Sequence, residues 1–248
     1  MAREADMAGR ALAGRRIIVL GARGDLGRSV VERLRADGAS VTAADSRPAD
    51  DVSVAAADYR PAAGADRHED VSHVTVDALD EASVAAAFAA SPPPAAVVNL
   101  IGGYTPPQPL PGLDIATLRE QLELNLVTAA IVTKYALPAL AEQGGGTIVH
   151  VSSRVAVQKG ENSFAYSVSK LGVVRLVEAA AAEGREQGVR VNCIMPSIID
   201  TPTNRAALPG AEHDRWPKPS ELAAVLAFLV SDDAVLISGA AIPVYGRA

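Results

Sequence analysis

Short apolar runs rich in Val and Ile alternate along this chain with longer stretches whose apolar residues recur at helical spacing. That alternation restricts the fold more than any other feature, because it is the pattern of βαβ units, in which each helix crosses the sheet and returns the chain parallel to itself. Arg16–Leu20 reads as the first strand. It leads through several glycines into a helix with Leu26, Val30, Val31 and Leu34 on one face and Gly38 as its stop. Further strands are expected at 40–44, 71–76, 95–101, 147–151, 189–195 and 240–244. Helices are expected around Val84 and Phe88, at 114–141, at 163–187 (ended by Gly188), and at 220–230 with Ser220 as N-cap. Seven strands with helices between them predict one doubly wound α/β domain with a parallel sheet over residues 15–248, after a flexible N-terminus at 1–14. Residues 46–70 hold two prolines, six acidic residues and little apolar periodicity, so a mobile connection with room for one short helix is expected there.

Composition excludes several classes. Lys and Arg number 23 against 29 Asp and Glu, a formal charge of −6, which argues against a nucleic-acid binder. Apolar residues make up 49% and charged ones 21%, the balance of a globular chain rather than a disordered one. The sole cysteine, Cys193, permits no intrachain disulfide and no cysteine-cluster zinc site, suits a reducing compartment, and lies in an apolar strand as an inert core residue. The four histidines, at 68, 73, 150 and 213, lack metal-ligand spacing, so no metal site is expected. No apolar run approaches the ~20 residues of a membrane span, and the first sixteen residues lack the apolar core of a secretory signal. A soluble cytoplasmic protein with no membrane partner is expected.

Gly21, Gly24 and Gly27 lie between the first strand and the first helix, in the string Gly21-Ala-Arg23-Gly24-Asp25-Leu26-Gly27. Glycines there permit a tight turn, a close backbone approach to a pyrophosphate, and close packing of helix on strand, while the helix N-terminus offers free N–H groups to phosphate. Asp45 ends the second strand 18 residues after Gly27, where a dinucleotide fold places the carboxylate that receives the adenosine ribose hydroxyls. It would repel a 2′-phosphate, so NAD(H) is favoured over NADP(H); Arg23 and Arg47 are the counterweight. A plain strand-end turn remains the other reading of Asp45.

Tyr166 and Lys170 stand at i and i+4, one turn apart on a helix face. A phenol titrates near ~10 in water, and a cation beside it stabilises the phenolate; bringing it toward ~7 asks about 4 kcal/mol of the site. The pair could then exchange a proton with an alcohol or carbonyl oxygen. Tyr-x-x-x-Lys is common on surface helices, but Ser153 ends the fifth strand 13 residues earlier, where a hydroxyl can polarise that same oxygen. Asn125 sits among Leu122, Leu124 and Leu126 in a long helix; a buried amide there needs partners, such as Lys170 through a water.

In order and spacing, Asn125, Ser153, Tyr166 and Lys170 resemble the catalytic tetrad of the short-chain dehydrogenase/reductase family. The resemblance runs from the glycine turn to Gly239. Val98-Asn99-Leu100-Ile101-Gly102 resembles that family's Asn-Asn-Ala-Gly strand end, Asp77 its adenine-contacting Asp, and Val191-Asn192-Cys193 through Pro196 the strand leading to its Pro-Gly turn. It implies a single-domain Rossmann fold of about seven strands, in which Tyr166 is the acid/base, Ser153 orients the carbonyl, Lys170 also holds the nicotinamide ribose, and Asn125 supports a water relay. Arg23, Gly24, Asp25, Leu26, Asn99, Gly102, Pro196 and Thr201 would join the glycines, Asp45 and Asp77 around the cofactor. A homotetramer or homodimer through the 114–141 and 163–187 helices is also implied. Three departures stand out: Asp25 in place of the turn's middle glycine, Leu100-Ile101 for Asn-Ala, and Ser197 for the glycine after Pro196. The shifted glycine and the stretch from Asp200 to Pro209, followed by Trp216, resemble dihydropteridine reductases, which typically lack the serine supplied by Ser153.

The expected reaction is hydride transfer between a nicotinamide cofactor and a small ketone or secondary alcohol. Pterin reduction and a catalytically idle dinucleotide sensor are the alternatives. Aromatic residues are few (three Phe, one Trp, five Tyr), so Tyr104, Phe164 and Trp216 draw notice as lining for an apolar or planar substrate, with core packing the favoured role of Phe164. Residues 103–113, 154–164 and 197–218 are expected to choose the substrate. The prolines of 105–112 could also serve as an SH3 ligand, but a loop at a strand's C-terminal end is where such sheets bind small molecules.

Overall fold

The computed structural model describes residues 11–46, 71–158 and 160–248. The expected mobile connection at 46–70, apart from Ser46, and Arg47 within it lie outside the described residues, as do the first ten residues of the N-terminus. Seven parallel strands run β1 (Arg16–Leu20), β2 (Ser40–Asp45), β3 (Val71–Thr75), β4 (Ala96–Asn99), β5 (Gly146–Val151), β6 (Val189–Pro196) and β7 (Ala241–Val244), in the sheet order β3-β2-β1-β4-β5-β6-β7. Six helices cross between them: α1 (Asp25–Ala36), α2 (Glu81–Ala90), α3 (Ile115–Ala141), α4 (Phe164–Glu183), α5 (Pro202–Ala207) and α6 (Pro219–Val230).

The central strands β1 and β4 are apolar and buried on both faces because both faces are covered, whereas the edge strands β3 and β7 are partly exposed. Ile17 and Val19 turn to a core shared with Val30, Val31 and Leu34 of α1 and Leu222 and Leu226 of α6. Ile18 and Leu20 turn to the opposite core, with Val84 of α2, Val132, Ala136 and Leu140 of α3, and Val177 of α4. The strand order reverses direction between β1 and β4, and a doubly wound sheet binds ligands at that point, beyond the strands' C-terminal ends.

Several expectations need correction. Leu12, within the segment expected to be flexible, is buried in the α1 core, and its N–H donates to Asp37 O at 2.9 Å. The 27 residues of α3 are long and apolar enough by composition to cross a membrane, contrary to the sequence reading. Their apolar excess serves the core, since Ala129, Val132, Ala136 and Leu140 are buried. Ser220 is not the cap of α6. Pro219, with its fixed φ, begins that helix, and the Lys218 N–H donates to Glu221 Oε2 at 2.8 Å. Residues 185–187 form a separate 3-10 turn after α4, although Gly188 does stop the chain in the left-handed region, at φ +71°.

Gly27 shows what the β1–α1 connection requires. A Cβ there would stand 2.2 Å from Gly21 O and 2.6 Å from Ala22 C, both backbone atoms that cannot swing away. Gly27→Ala is therefore expected to cost about 3 kcal/mol or more, measured by urea unfolding. A loss under about 1 kcal/mol would mean that α1 can lift from the turn.

Candidate active site

The C-terminal ends of β1, β2, β4, β5 and β6 carry most of the residues singled out above. At the first, Gly21 takes φ +75° and lies against the Leu100–Ile101 backbone, so the turn rests on the end of β4. Gly24 is N-cap of α1 and no side chain caps that helix. Asp25 opens the helix with its carboxylate paired to Arg28, a favourable sign of charge at this terminus, and Leu26 packs against the α1 core. Asp45 accepts from Arg23 N at 3.2 Å and Ser46 N at 2.9 Å, which holds its carboxylate beside the turn. Asp77 follows β3, exposed, accepting from Leu79 N at 3.0 Å.

Between β4 and β5 the site becomes dry. Asn99 is buried; its Nδ2 donates to His150 Nδ1 at 3.2 Å and its Oδ1 accepts from Ile101 N at 3.2 Å. His150 Nε2 meets Thr133 Oγ1 at 2.9 Å, and that hydroxyl donates to Ala129 O at 2.7 Å. These partners are all satisfied by a neutral imidazole with its proton on Nε2. Burial first, then the Lys170 charge, pushes His150 down to about 4. The sequence reading gave His150 no role; its only trace there is one titratable residue inside Ile148-Val149-His150-Val151.

Asn125 lies in a π-helical segment, Leu122–Val127, that interrupts α3 where an unbroken helix was expected. It exchanges two bonds with one residue, accepting from Gly103 N at 3.0 Å and donating to Gly103 O at 3.0 Å, with Ser169 Oγ at 3.1 Å and Gln121 Oε1 at 3.2 Å also in reach. Its direct partners are thus Gly103, Ser169 and Gln121 rather than Lys170. Gly102 is held just above: a Cβ there would meet Asn125 Oδ1 at 2.6 Å and Lys170 Nζ at 2.7 Å.

Ser153, Tyr166 and Lys170 come together. The Ser153 hydroxyl stands close enough to the Tyr166 phenol to oppose the rise in its pKa, and Lys170 Nζ stands 6.0 Å from the Tyr166 ring centroid and donates to Val151 O at 3.0 Å. The expected lowering of the phenol by Lys170 is not found. Burial raises the Tyr166 pKa, the Ser153 hydroxyl opposes that, and Tyr104 adds to it. The titration that moves down is that of Lys170, to about 8, because its ammonium is buried. Pro196 ends β6, buried, and Thr201 caps α5 by accepting from Asn204 N at 3.2 Å. Cys193 is buried and pushed up to about 12, an inert thiol as expected.

The aromatic expectations divide. Tyr104 meets Tyr166 edge to face with centroids 5.1 Å apart. Phe164 is exposed at the first turn of α4, against the core role expected for it. Trp216 is buried, with its ring 4.7 Å from His213, against its expected place in the substrate wall.

Residues 15–211 match the family model described as short chain dehydrogenase. The chain belongs to the short-chain dehydrogenase family. This short-chain dehydrogenase is 34% identical to cis-4-hydroxycyclohexanecarboxylate dehydrogenase of Sinomonas cyclohexanicum, over 96% of its own chain and 98% of the relative's. It is 29% identical to 7alpha-hydroxysteroid dehydrogenase of Bacteroides fragilis, over 93% and 92% of the two chains. A short-chain type dehydrogenase/reductase from Mycobacterium ulcerans superposes with a TM-score of 0.82 at 27% identity, covering 95% of this chain and 90% of that one. The protein is accordingly an NAD(P)-dependent oxidoreductase acting between alcohols and ketones. These relatives lend no support to the dihydropteridine-reductase likeness or to pterin reduction as the activity.

The buried imidazole makes stability depend on pH. His150 binds its proton less tightly when folded, at about 4, than the ~6.5 of an unfolded chain. As pH falls the unfolded state takes up the proton first, so stability present above ~6.5 is lost toward about 4. Between pH 7 and pH 5 the loss amounts to about 2 kcal/mol, and His150→Asn should lack that component in urea unfolding. Parallel losses in both proteins would show that His150 does not carry it.

Proposed function

We propose that Tyr166 is the acid/base of this dehydrogenase, that its substrate is an alicyclic secondary alcohol or ketone, and that it prefers NAD(H). The observation that carries the reading is the approach of the Ser153 hydroxyl to the Tyr166 phenol beside the buried Lys170 ammonium.

The residues fit a nicotinamide dinucleotide. Lys170 has three N–H donors and one hydrogen-bond acceptor, Val151 O, although it is buried, so donors remain for a ribose diol. Gly24 has an ordinary φ of −63°, and a Cβ there would find its nearest atom at 3.6 Å, so the protein alone does not require a glycine. Open backbone beside an uncapped helix N-terminus suits a pyrophosphate. Arg23 to Gly27, Asp45, Asp77, Asn99, Gly102, Lys170, Pro196 and Thr201 would hold the cofactor, which when bound supplies or accepts the hydride.

In the reducing direction the carbonyl carbon gains a hydride and its oxygen gains a proton. Ser153 donates a hydrogen bond to that oxygen as negative charge grows there, and the Tyr166 O–H breaks as the alcohol O–H forms. Lys170 keeps positive charge near the phenolate left behind, and Asn125, by clasping Gly103, holds the strand end against which Lys170 packs. Oxidation runs the same steps backward. An alicyclic substrate is supported by the ring alcohols in the names of the two relatives and by exposed Tyr104, Val157 and Phe164 on the segments nearest Tyr166. A homotetramer or homodimer through α3 and α4 is supported by exposed Val127 and Leu171 on those helices.

Tyr166→Phe is expected to lower kcat by about 10²–10⁴-fold while the NADH dissociation constant, followed by fluorescence titration, changes little. Turnover close to wild type in the variant would remove Tyr166 from the reaction. Because the Asp45 carboxylate repels a 2′-phosphate, kcat/KM should be higher with NADH than with NADPH, and Asp45→Ala should narrow the gap. A preference for NADPH in the wild type would assign the choice to a nearby arginine such as Arg23.

A further inference from the structure

We propose that Arg154 recognises a carboxylate carried by the substrate at a distance from the reacting carbon. The inference rests on the hydride-transfer reading of Ser153 and Tyr166. Arg154 follows Ser153 directly and opens the 3-10 turn Arg154–Ala156, for which Ser153 is the N-cap. The hydroxyl that faces the Tyr166 phenol and the guanidinium therefore leave the chain from adjacent residues.

Arg154 is half-buried, and its guanidinium has no hydrogen-bond acceptor or carboxylate partner among the described residues; it lies over the face of Tyr245, 5.7 Å from its central carbon to the ring centroid. Two other partly buried arginines show what engagement looks like: Arg28 pairs with Asp25, and Arg190 donates to Leu229 O, Ser231 O and Ile237 O at 3.0 to 3.2 Å. An aromatic face offsets the positive charge but accepts none of the five N–H donors. A guanidinium withdrawn from water with its donors unmet costs free energy that a ligand oxygen would recover.

The surroundings indicate what kind of ligand. Residues 103–113 carry no charged side chain, and Asp200, the acidic residue nearest in sequence to the β6 turn, is closed off by two bonds to Arg205. Tyr245 is tied to that turn, since Ser197 Oγ donates to Tyr245 O at 2.7 Å. Beside the uncharged 103–113 segment Arg154 presents one cation, which matches one negative charge; a phosphate dianion would call for a second cation. The planar fork suits a carboxylate taken by two parallel bonds. The guanidinium lies over Tyr245 while the Ser153 hydroxyl is at Tyr166, so the two groups have separate neighbours, and the acid inferred is one remote from the carbonyl, as in a ring ketone with a distant carboxylate, rather than a 2-oxo acid.

The test compares 4-oxocyclohexanecarboxylate with its carboxamide, which keeps size and ring but lacks the charge, in the full-length protein with NADH and NADPH. Wild type should prefer the acid in kcat/KM by about 10-fold or more, expressed in KM. Arg154→Met should bring the ratio of acid to amide close to one, and Arg154→Lys should restore part of it; circular dichroism checks that both variants fold. A wild-type ratio near one, or a ratio unchanged in Arg154→Met, overturns the role of Arg154 and leaves the hydride-transfer reading standing. Failure of wild type to reduce either ketone with either cofactor overturns that reading, and this inference with it.

Discussion

Lys170 is fastened to the end of β5 from both of its ends. Its ammonium donates to Val151 O at 3.0 Å, and its own carbonyl accepts from Ser152 Oγ at 2.7 Å. These two bonds pin the start of α4 to the strand that carries Ser153, and Tyr166, one turn back on that helix, is brought to the Ser153 hydroxyl as a consequence. Everything chemical in the molecule depends on that docking, because neither residue alone distinguishes a reactive tyrosine from a surface one. The β5–β6 ladder and the apolar seam of Val173, Val174 and Val177 hold the helix against the sheet, and the polar pair sets where along the strand it stops.

The docking is expensive. Holding the Lys170 ammonium at about 8 rather than near 10.5 means that burial opposes its charge by about 3 kcal/mol at neutral pH. A core built for stability alone would place an apolar side chain there. The same region contains a second costly group, the neutral His150, and a glycine, Gly102, that tolerates no side chain because Asn125 and Lys170 occupy the space. These departures from ordinary core chemistry cluster at one edge of the sheet, while the strands a few residues away are continuous Val, Ile and Ala. Strain concentrated in this way is what a pre-organised site produces.

The division also explains what could be read in advance. Strands buried on both faces are short and apolar, so their positions were legible to within a residue or two, and the glycines and the Ser153, Tyr166 and Lys170 spacing located the site edge. What failed depended on partners distant in sequence. Trp216 and Phe164 exchanged roles because burial of an aromatic is decided by what crosses over it, and nothing in the segment 197–218 announces that the C-terminal tail does so. Ser220 looked like the better cap, but the Pro219 ring and the Glu221 carboxylate together begin the helix one residue earlier. Asn125 was placed correctly in a long helix, yet its partners Gly103 and Ser169, 22 and 44 residues away, could not be inferred from helical periodicity. The lowering of the Tyr166 phenol was argued from i, i+4 proximity; the structure instead directs the Lys170 ammonium to a backbone carbonyl, and burial dominates both titrations.

The substrate wall is an extreme case of that dependence on distant partners. Arg247 N donates to Arg215 O at 2.9 Å and Arg215 Nε donates back to Arg247 O at 2.8 Å, while Asp200 N reaches Pro217 O at 2.9 Å. Gly246, at φ +66°, lies so close to Arg215 and Pro217 that a Cβ would stand 2.8 Å from Arg215 O. The last residues of the chain therefore fix residues 215–217, which fix Asp200 at the foot of α5, while most of α5 itself is exposed. Tyr245 joins this assembly to the segment after Ser153 through Arg154 and to the β6 turn through Ser197. Ser153, Tyr166 and Lys170, by contrast, are brought together by one helix and one strand. The segments expected to face the substrate are joined by a few hydrogen bonds and the Arg154–Tyr245 contact, so a change at any of them can alter that surface without disturbing the docking of α4 on β5. A fold shared by relatives that oxidise different alcohols is the outcome such a separation permits.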